Sequence, residues 1–183
     1  MINSTPKKNI LFIKKLVYSA MFLALALILP FFTGQIPEIG NMLCPMHIPV
    51  LLCGFVCGAP YGFLVGAAAP LLRFLVFHAP TLLRALPMSA ELAVYGLCAG
   101  ILYKVFPKKS LFVYVSLICS MAAGRAVWGA ISLVIAGASG TEFGFAAFWA
   151  GAVANAVPGI ILQIAFVPAA FLALRRAGLA LNE

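Results

Sequence analysis

The chain has 183 residues, of which 64% are hydrophobic and only 9% are charged. Soluble domains do not have this composition, so a soluble globular fold is excluded. The formal net charge of +8 does not indicate nucleic-acid binding, because all seven Lys and two of the Arg fall in three clusters between apolar segments: Lys7, Lys8, Lys14 and Lys15; Lys104, Lys108 and Lys109; Arg175 and Arg176.

Apolar segments of about 20 residues, the length that crosses a bilayer as a helix, recur along the whole chain. We therefore expect one domain, residues 1–183, that is an all-α integral membrane protein in a lipid bilayer. The apolar run from Leu16 to Phe32 is long for a signal peptide, so we expect the first helix to be retained. The predicted helices lie at about 13–32, 46–58, 60–78, 84–106, 111–137 and 144–174.

Residues 46–78 allow two interpretations, because Gly58-Ala59-Pro60 is either a kink within one helix or a turn between two. A single crossing gives five spans and places the 104–109 cluster on the opposite side from the N-terminal Lys residues. Two crossings give six spans and place all three basic clusters on one side, as the positive-inside rule requires. We therefore predict six transmembrane helices, with the N- and C-termini in the cytoplasm.

Three charged residues interrupt the apolar runs: Arg73, Glu91 and Arg125. A charge in mid-membrane costs about 2.5–3.5 kcal/mol on insertion scales unless it is paired or faces water, so each is a candidate site residue. Glu91 is either an interhelical partner of Arg125 or Arg73, or a ligand contact. Arg73 is either a ligand contact or an anchor to the outer headgroups. Arg125 is the strongest candidate, because near mid-helix it does not reach the headgroups.

Other polar and aromatic residues are expected on the outer halves or at the outer ends of these helices. Tyr95 shares a helix face with Glu91, and Trp128 shares one with Arg125. Both rings suit stacking on a flat ligand, and for Trp128 packing or a place in the aromatic belt is the more ordinary interpretation. With the three charges, the candidate substrate-binding residues are Tyr95, Trp128, Asn155, His47 and Arg84.

The five Cys residues form no disulfide framework, and Cys44-x-x-His47 and Cys53-x-x-x-Cys57 have no second cluster that would complete a metal site. We therefore predict no catalytic residue, no metal and no cofactor. A small membrane enzyme remains an alternative, but no nucleophile and base have adjacent positions in the sequence.

The stretch Met46-His-Ile-Pro-Val-Leu-Leu-Cys-Gly-Phe-Val-Cys-Gly-Ala-Pro-Tyr-Gly-Phe-Leu-Val-Gly66 resembles the second and third helices of the substrate-binding S component of energy-coupling factor (ECF) vitamin transporters. In that family an Ile-Pro-x-Leu-x-x-Gly segment runs into a Gly-rich turn. Many members have an acidic residue ahead of the Ile-Pro pair, where this chain has Met46-His47. Ala20-x-x-x-Ala24 resembles the motif with which S components dock their transmembrane partner, and the resemblance covers nearly the whole chain.

The resemblance implies a membrane-embedded subunit, not an enzyme, that binds a vitamin or vitamin precursor with high affinity from outside. It implies a transmembrane coupling (T) subunit and two ATPase subunits as partners, and a multi-pass location in the bacterial plasma membrane. It also implies a binding site built from the outer loops and the outer halves of helices four to six, which matches Glu91, Tyr95, Arg125, Trp128 and Asn155.

The chemistry of the substrate stays open at this point. Two membrane Arg residues against one Glu favour a carboxylate or a phosphate, since Arg binds either with a bidentate fork. A neutral polar heterocycle fits as well if Glu91 neutralises Arg125. A stand-alone facilitator or channel is the alternative function, followed by a small membrane enzyme.

Overall fold

A computed structural model describes residues 6–32, 43–139, 144–152 and 156–182, and the regular elements in these ranges are helices. The predicted all-α class is confirmed. In chain order the helices are α1 Pro6–Phe32, α2 His47–Cys57, α3 Ala59–Phe77, α4 Leu82–Val105, α5 Ser110–Ser139, α6 Phe145–Ala152 and α7 Val157–Arg176.

Five of these helices, α1, α3, α4, α5 and α7, are long and apolar enough to cross a membrane, which makes the chain a multi-pass membrane protein. The helix α2 has 11 residues and rises about 16 Å at about 1.5 Å per residue. This is shorter than an apolar core of about 30 Å. The sixth crossing therefore stays a prediction.

The helix boundaries differ from the predicted ones at two places. The first helix begins at Pro6 rather than near residue 13, because Pro suits the first turn of a helix and Lys continues a helix well. The predicted helix 144–174 is two helices, α6 and α7, with Pro158 in the first turn of α7. Residues 46–78 form two helices as predicted, separated by Gly58 with φ 102°.

The short helix α2 lies at the centre of the bundle. All 11 of its residues are buried, and it packs against α1, α3, α4 and α7. A helix that is apolar on every side needs neighbours on every side, which this central position supplies.

The helices α3 and α4 pack backbone against backbone through small residues. A Cβ on Gly62 would lie 2.6 Å from the carbonyl oxygen of Gly96, and one on Gly66 would collide with the carbonyl of Leu92. The four-residue spacing of Gly in both helices therefore serves close helix packing. This contact fixes α4, which carries Glu91, against α3.

The basic clusters meet at one end of the bundle, which we call the basic end. Lys108 Nζ donates to the carbonyl of Tyr103 at 2.6 Å, and Arg175 Nη1 donates to the carbonyl of Lys108 at 2.7 Å. Lys15 and Lys104 line one cleft of about 360 Å³ at this end. The opposite end, called the far end, holds the first residues of α4 and α7 and the last residues of α1, α3 and α5, and α2 begins deeper in the bundle on the same side.

Candidate functional site

The carboxylate of Glu91 is the point at which three helices meet. Glu91 lies on α4 and is 2% exposed. Its Oε1 lies 3.1 Å from Nη1 of Arg125 on α5 and 3.5 Å from Nε2 of His47 at the start of α2. We call Glu91, Arg125, His47, Tyr95 and Cys44 the Glu91 group.

The Glu91–Arg125 pair is balanced in charge, with one carboxylate against one guanidinium. His47 adds a positive charge only when it is protonated. Arg125 also reaches Cys44, the residue at positive φ ahead of α2, with Nη2 at 3.7 Å from the sulfur. Removing either member of such a buried pair would leave an uncompensated charge, which is strongly unfavourable.

Tyr95 packs against two other helices of the bundle. Its ring packs edge-to-face on His47, with the centroids 5.2 Å apart, and its side chain is fully buried. The ring also lies against α5 at Gly124, where a Cβ would collide with two ring carbons. Gly124 precedes Arg125, so the same turn of α5 positions both the ring and the guanidinium.

The group is recessed below the far end. His47 is the first residue of α2, yet it contacts Tyr95, which lies thirteen positions after Leu82, the first residue of α4. At about 1.5 Å per residue this places the start of α2 about 20 Å down α4. The shortness of α2 therefore leaves polar side chains deep in the bundle.

Several polar atoms of the group lack a hydrogen-bond partner within the described ranges. They are both ring nitrogens of His47, the hydroxyl of Tyr95, Nε of Arg125 and Oε1 of Glu91, which is in ion-pair distance but not in hydrogen-bond geometry. A buried polar atom without a partner costs about 1–3 kcal/mol. Such atoms in native proteins are usually satisfied by water or by a ligand. The group thus offers donors and acceptors to a bound polar molecule.

Arg73 lies away from this group. Its Nη1 donates to the carbonyl of Leu27 at 3.0 Å, and its guanidinium lies 5.2 Å from the ring centroid of Phe31 and 5.6 Å from that of Phe77. These contacts join α1 to α3 and explain how a charge 5% exposed is tolerated. Arg73 therefore does not add a second positive charge beside Glu91.

The remaining predicted residues are dispersed. Trp128, one turn along α5 from Arg125, is half-buried against α6, where its ring centroid lies 6.3 Å from that of Phe148. Arg84 is exposed in the first turn of α4. Asn155 lies outside the described residues.

The sequence analysis missed Cys44 and Gln163. Cys44 lies in a connection, and nothing in the sequence indicates that it reaches α5. Gln163 is completely buried. The nitrogen and the oxygen of its amide both lack a hydrogen-bond partner among the described residues. A single amide side chain in the otherwise apolar run 157–174 was a signal that could have identified it.

The described residues hold no group of three His, Cys, Asp or Glu side chains that could bind a metal ion. Cys53 and Cys57 lie in the apolar core of α2, and Cys44 contacts Arg125. The chemistry available in the Glu91 group is hydrogen bonding and ion pairing.

Comparison with known proteins now identifies the family. Residues 14–171 match the family described as "ECF transporter, substrate-specific component". No curated protein and no solved structure matches the chain. The family match covers most of the bundle, including α2, α4 and α5, which carry the Glu91 group. The chain therefore belongs to the substrate-specific (S) components of ECF transporters, which are transport subunits and not enzymes.

Proposed function

We propose that this S component binds a small, uncharged molecule with a polar ring, a vitamin or a vitamin precursor, in the Glu91 group. The observation that carries the proposal is the set of buried, unpartnered polar atoms around the ion pair of Glu91 and Arg125. In an apolar bundle, a polar molecule that binds beside these side chains restores their hydrogen bonds.

The charge balance supports an uncharged substrate over an anionic one. Glu91 neutralises Arg125, and Arg73 is held between α1 and α3 by Leu27, Phe31 and Phe77. A carboxylate or a phosphate would have to displace Glu91 from Arg125 and leave it buried without its counter-ion. A neutral heterocycle hydrogen-bonds to the same side chains without that cost.

The proposal includes an orientation in the membrane. The basic end, with Lys15, Lys104, Lys108 and Arg175, faces the cytoplasm under the positive-inside rule. The far end then opens to the outside of a bacterial cell, and the recess above α2 is the route by which substrate reaches the Glu91 group. We place Trp128, Asn155 and Arg84 along that route.

We further propose that α1 docks the coupling subunit. Ala20 and Ala24 are exposed on α1, among large apolar side chains that include Val17, Met21 and Leu25. Small residues four positions apart let a partner helix approach closely. A T subunit bound at this stripe, with two ATPase subunits hydrolysing ATP, would supply the energy for uptake.

Reconstitution in liposomes tests the function. The chain alone is expected to bind substrate without accumulating it, and accumulation is expected only when the T subunit, both ATPases and ATP are present. Uptake by the chain alone would instead support the stand-alone facilitator.

A further inference from the structure

Gln163 is a buried polar side chain that takes part in none of the contacts described above. It lies on α7, its side chain has no accessible surface, and neither Nε2 nor Oε1 has a hydrogen-bond partner in the described ranges. A primary amide carries two donors and an acceptor, and an apolar interior satisfies none of them. A polar molecule bound inside the bundle would satisfy the donors and the acceptor of this amide.

The register of three helices places Gln163 level with the Glu91 group. Phe55 on α2, Tyr103 on α4 and Phe171 on α7 form one cluster of rings, with centroids 4.9–5.9 Å apart. The three helices run in the same direction, from the far end to the basic end. Equal steps from this cluster toward the far end therefore reach the same level on each helix.

Eight residues toward the far end, about 12 Å, the same three helices present His47, Tyr95 and Gln163. The contact between His47 and Tyr95, with ring centroids 5.2 Å apart, confirms this register for α2 and α4. All three side chains are buried and carry polar atoms without a hydrogen-bond partner in the described part of the chain. The same count of residues along α7 puts the amide of Gln163 near the level of His47 and Tyr95, and we call these three side chains the polar layer.

Ser116 is a buried side chain that also has an unpartnered polar atom but does not lie in the polar layer. Its hydroxyl is also buried without a partner among described residues. Gly124 of α5 faces the ring of Tyr95, and α5 runs opposite to α4, so Ser116, eight residues before Gly124, is level with Tyr103 in the ring cluster. Ser116 therefore lies about 12 Å below the polar layer.

We propose that Gln163 is a substrate contact that selects a molecule with an adjacent hydrogen-bond donor and acceptor, such as a lactam or an amino-substituted nitrogen heterocycle. A Gln amide binds such an edge with two parallel hydrogen bonds, as it does the edge of adenine. This inference rests on the proposed function, since it assumes that the recess holds substrate. It adds a residue from α7 and a specific pattern of donor and acceptor to that proposal.

The test exposes the purified chain in nanodiscs to a deproteinised yeast extract and measures the retained small molecules by native mass spectrometry. Wild type, Gln163→Met and the control Ser116→Ala are compared, and each substrate-free protein is also melted. Met has the length of Gln without its amide, and Ser116→Ala removes a buried hydroxyl below the polar layer.

We expect Gln163→Met to retain the molecule at least about tenfold more weakly than wild type, which corresponds to the loss of two neutral hydrogen bonds. Its substrate-free Tm should be equal to or above that of wild type, and Ser116→Ala should retain the molecule normally. The retained molecule should carry an uncharged donor–acceptor edge.

Two results would overturn the assignment of Gln163: normal retention by Gln163→Met, or a lower substrate-free Tm, which would make the amide structural. A retained carboxylate or phosphate would overturn the substrate class. If wild type retains nothing from the extract, the proposed function itself fails, and the role of Gln163 fails with it.

Discussion

Nη1 of Arg125 lies 3.1 Å from Oε1 of Glu91, so these two opposite charges within the apolar bundle form one pair between α5 and α4. This pairing decides an alternative that the sequence left open, because Glu91 could also have paired with Arg73. Arg73 is held by Leu27, Phe31 and Phe77 instead, so among the described residues no surplus positive charge lies beside Glu91 to favour an anionic substrate.

The ion pair should be energetically coupled. Glu91→Gln or Arg125→Met alone leaves one buried charge without its counter-ion, and each should lower the free energy of unfolding by about 3–5 kcal/mol. The double variant should lose much less than the sum of the two. Denaturant unfolding of all four proteins in one detergent measures the coupling, and strictly additive losses would show that the two charges do not interact.

Arg73 should act on stability and not on binding. Arg73→Met removes the hydrogen bond to Leu27 and the contacts with Phe31 and Phe77, and should lower the free energy of unfolding by about 1–3 kcal/mol. Calorimetric titration should give the wild-type affinity. A large loss of affinity in a folded Arg73→Met protein would place Arg73 in the binding site.

Gly124 should be required for the position of Tyr95. A Cβ in Gly124→Ala would collide with the ring, and overpacking of this kind costs about 1–3 kcal/mol. We expect weaker substrate binding as well, because the displaced ring is in contact with His47. Gly137→Ala on the same helix is the matched control, since a Cβ there meets nothing within 4 Å. Equal behaviour of the two variants in melting and binding would contradict the packing described for Tyr95.

The stripe on α1 should serve transport and not binding. Replacing Ala20 and Ala24 with Leu should abolish ATP-dependent uptake by the reconstituted complex while the isolated chain still binds substrate. The pair Ala122 and Ala126 on α5 has the same spacing and is also exposed, so its double replacement by Leu is the control. If only the α5 variant loses uptake, the coupling subunit docks elsewhere.

The sequence predicted the helical class, the separation of α2 from α3 and the candidacy of Glu91 and Arg125, because charge, hydropathy and Gly58-Ala59-Pro60 are local signals. It did not predict the partner of Glu91, since that depends on how each helix is rotated about its axis. For the same reason it did not predict that Arg125 pairs with Glu91 while Arg73 donates to the carbonyl of Leu27 on α1.

His47 shows where sequence reasoning reached its limit. From the sequence, His47 was expected at the outer end of a helix, as one of several candidate site residues. In the fold, α2 is short and central, so its first residue lies beside Glu91 and Tyr95 and is 2% exposed. The apolar character of α2 on all sides was the available signal that this helix would be enclosed.

Native mass spectrometry of the purified chain, after exposure to the yeast extract, shows whether the Glu91 group holds substrate. We expect one small, uncharged molecule bound per chain in the wild type and in Arg73→Met, and its loss in Arg125→Met. A wild type that retains no such molecule, or an Arg125→Met protein that retains it as well as the wild type does, would contradict the assignment of the Glu91 group as the substrate site.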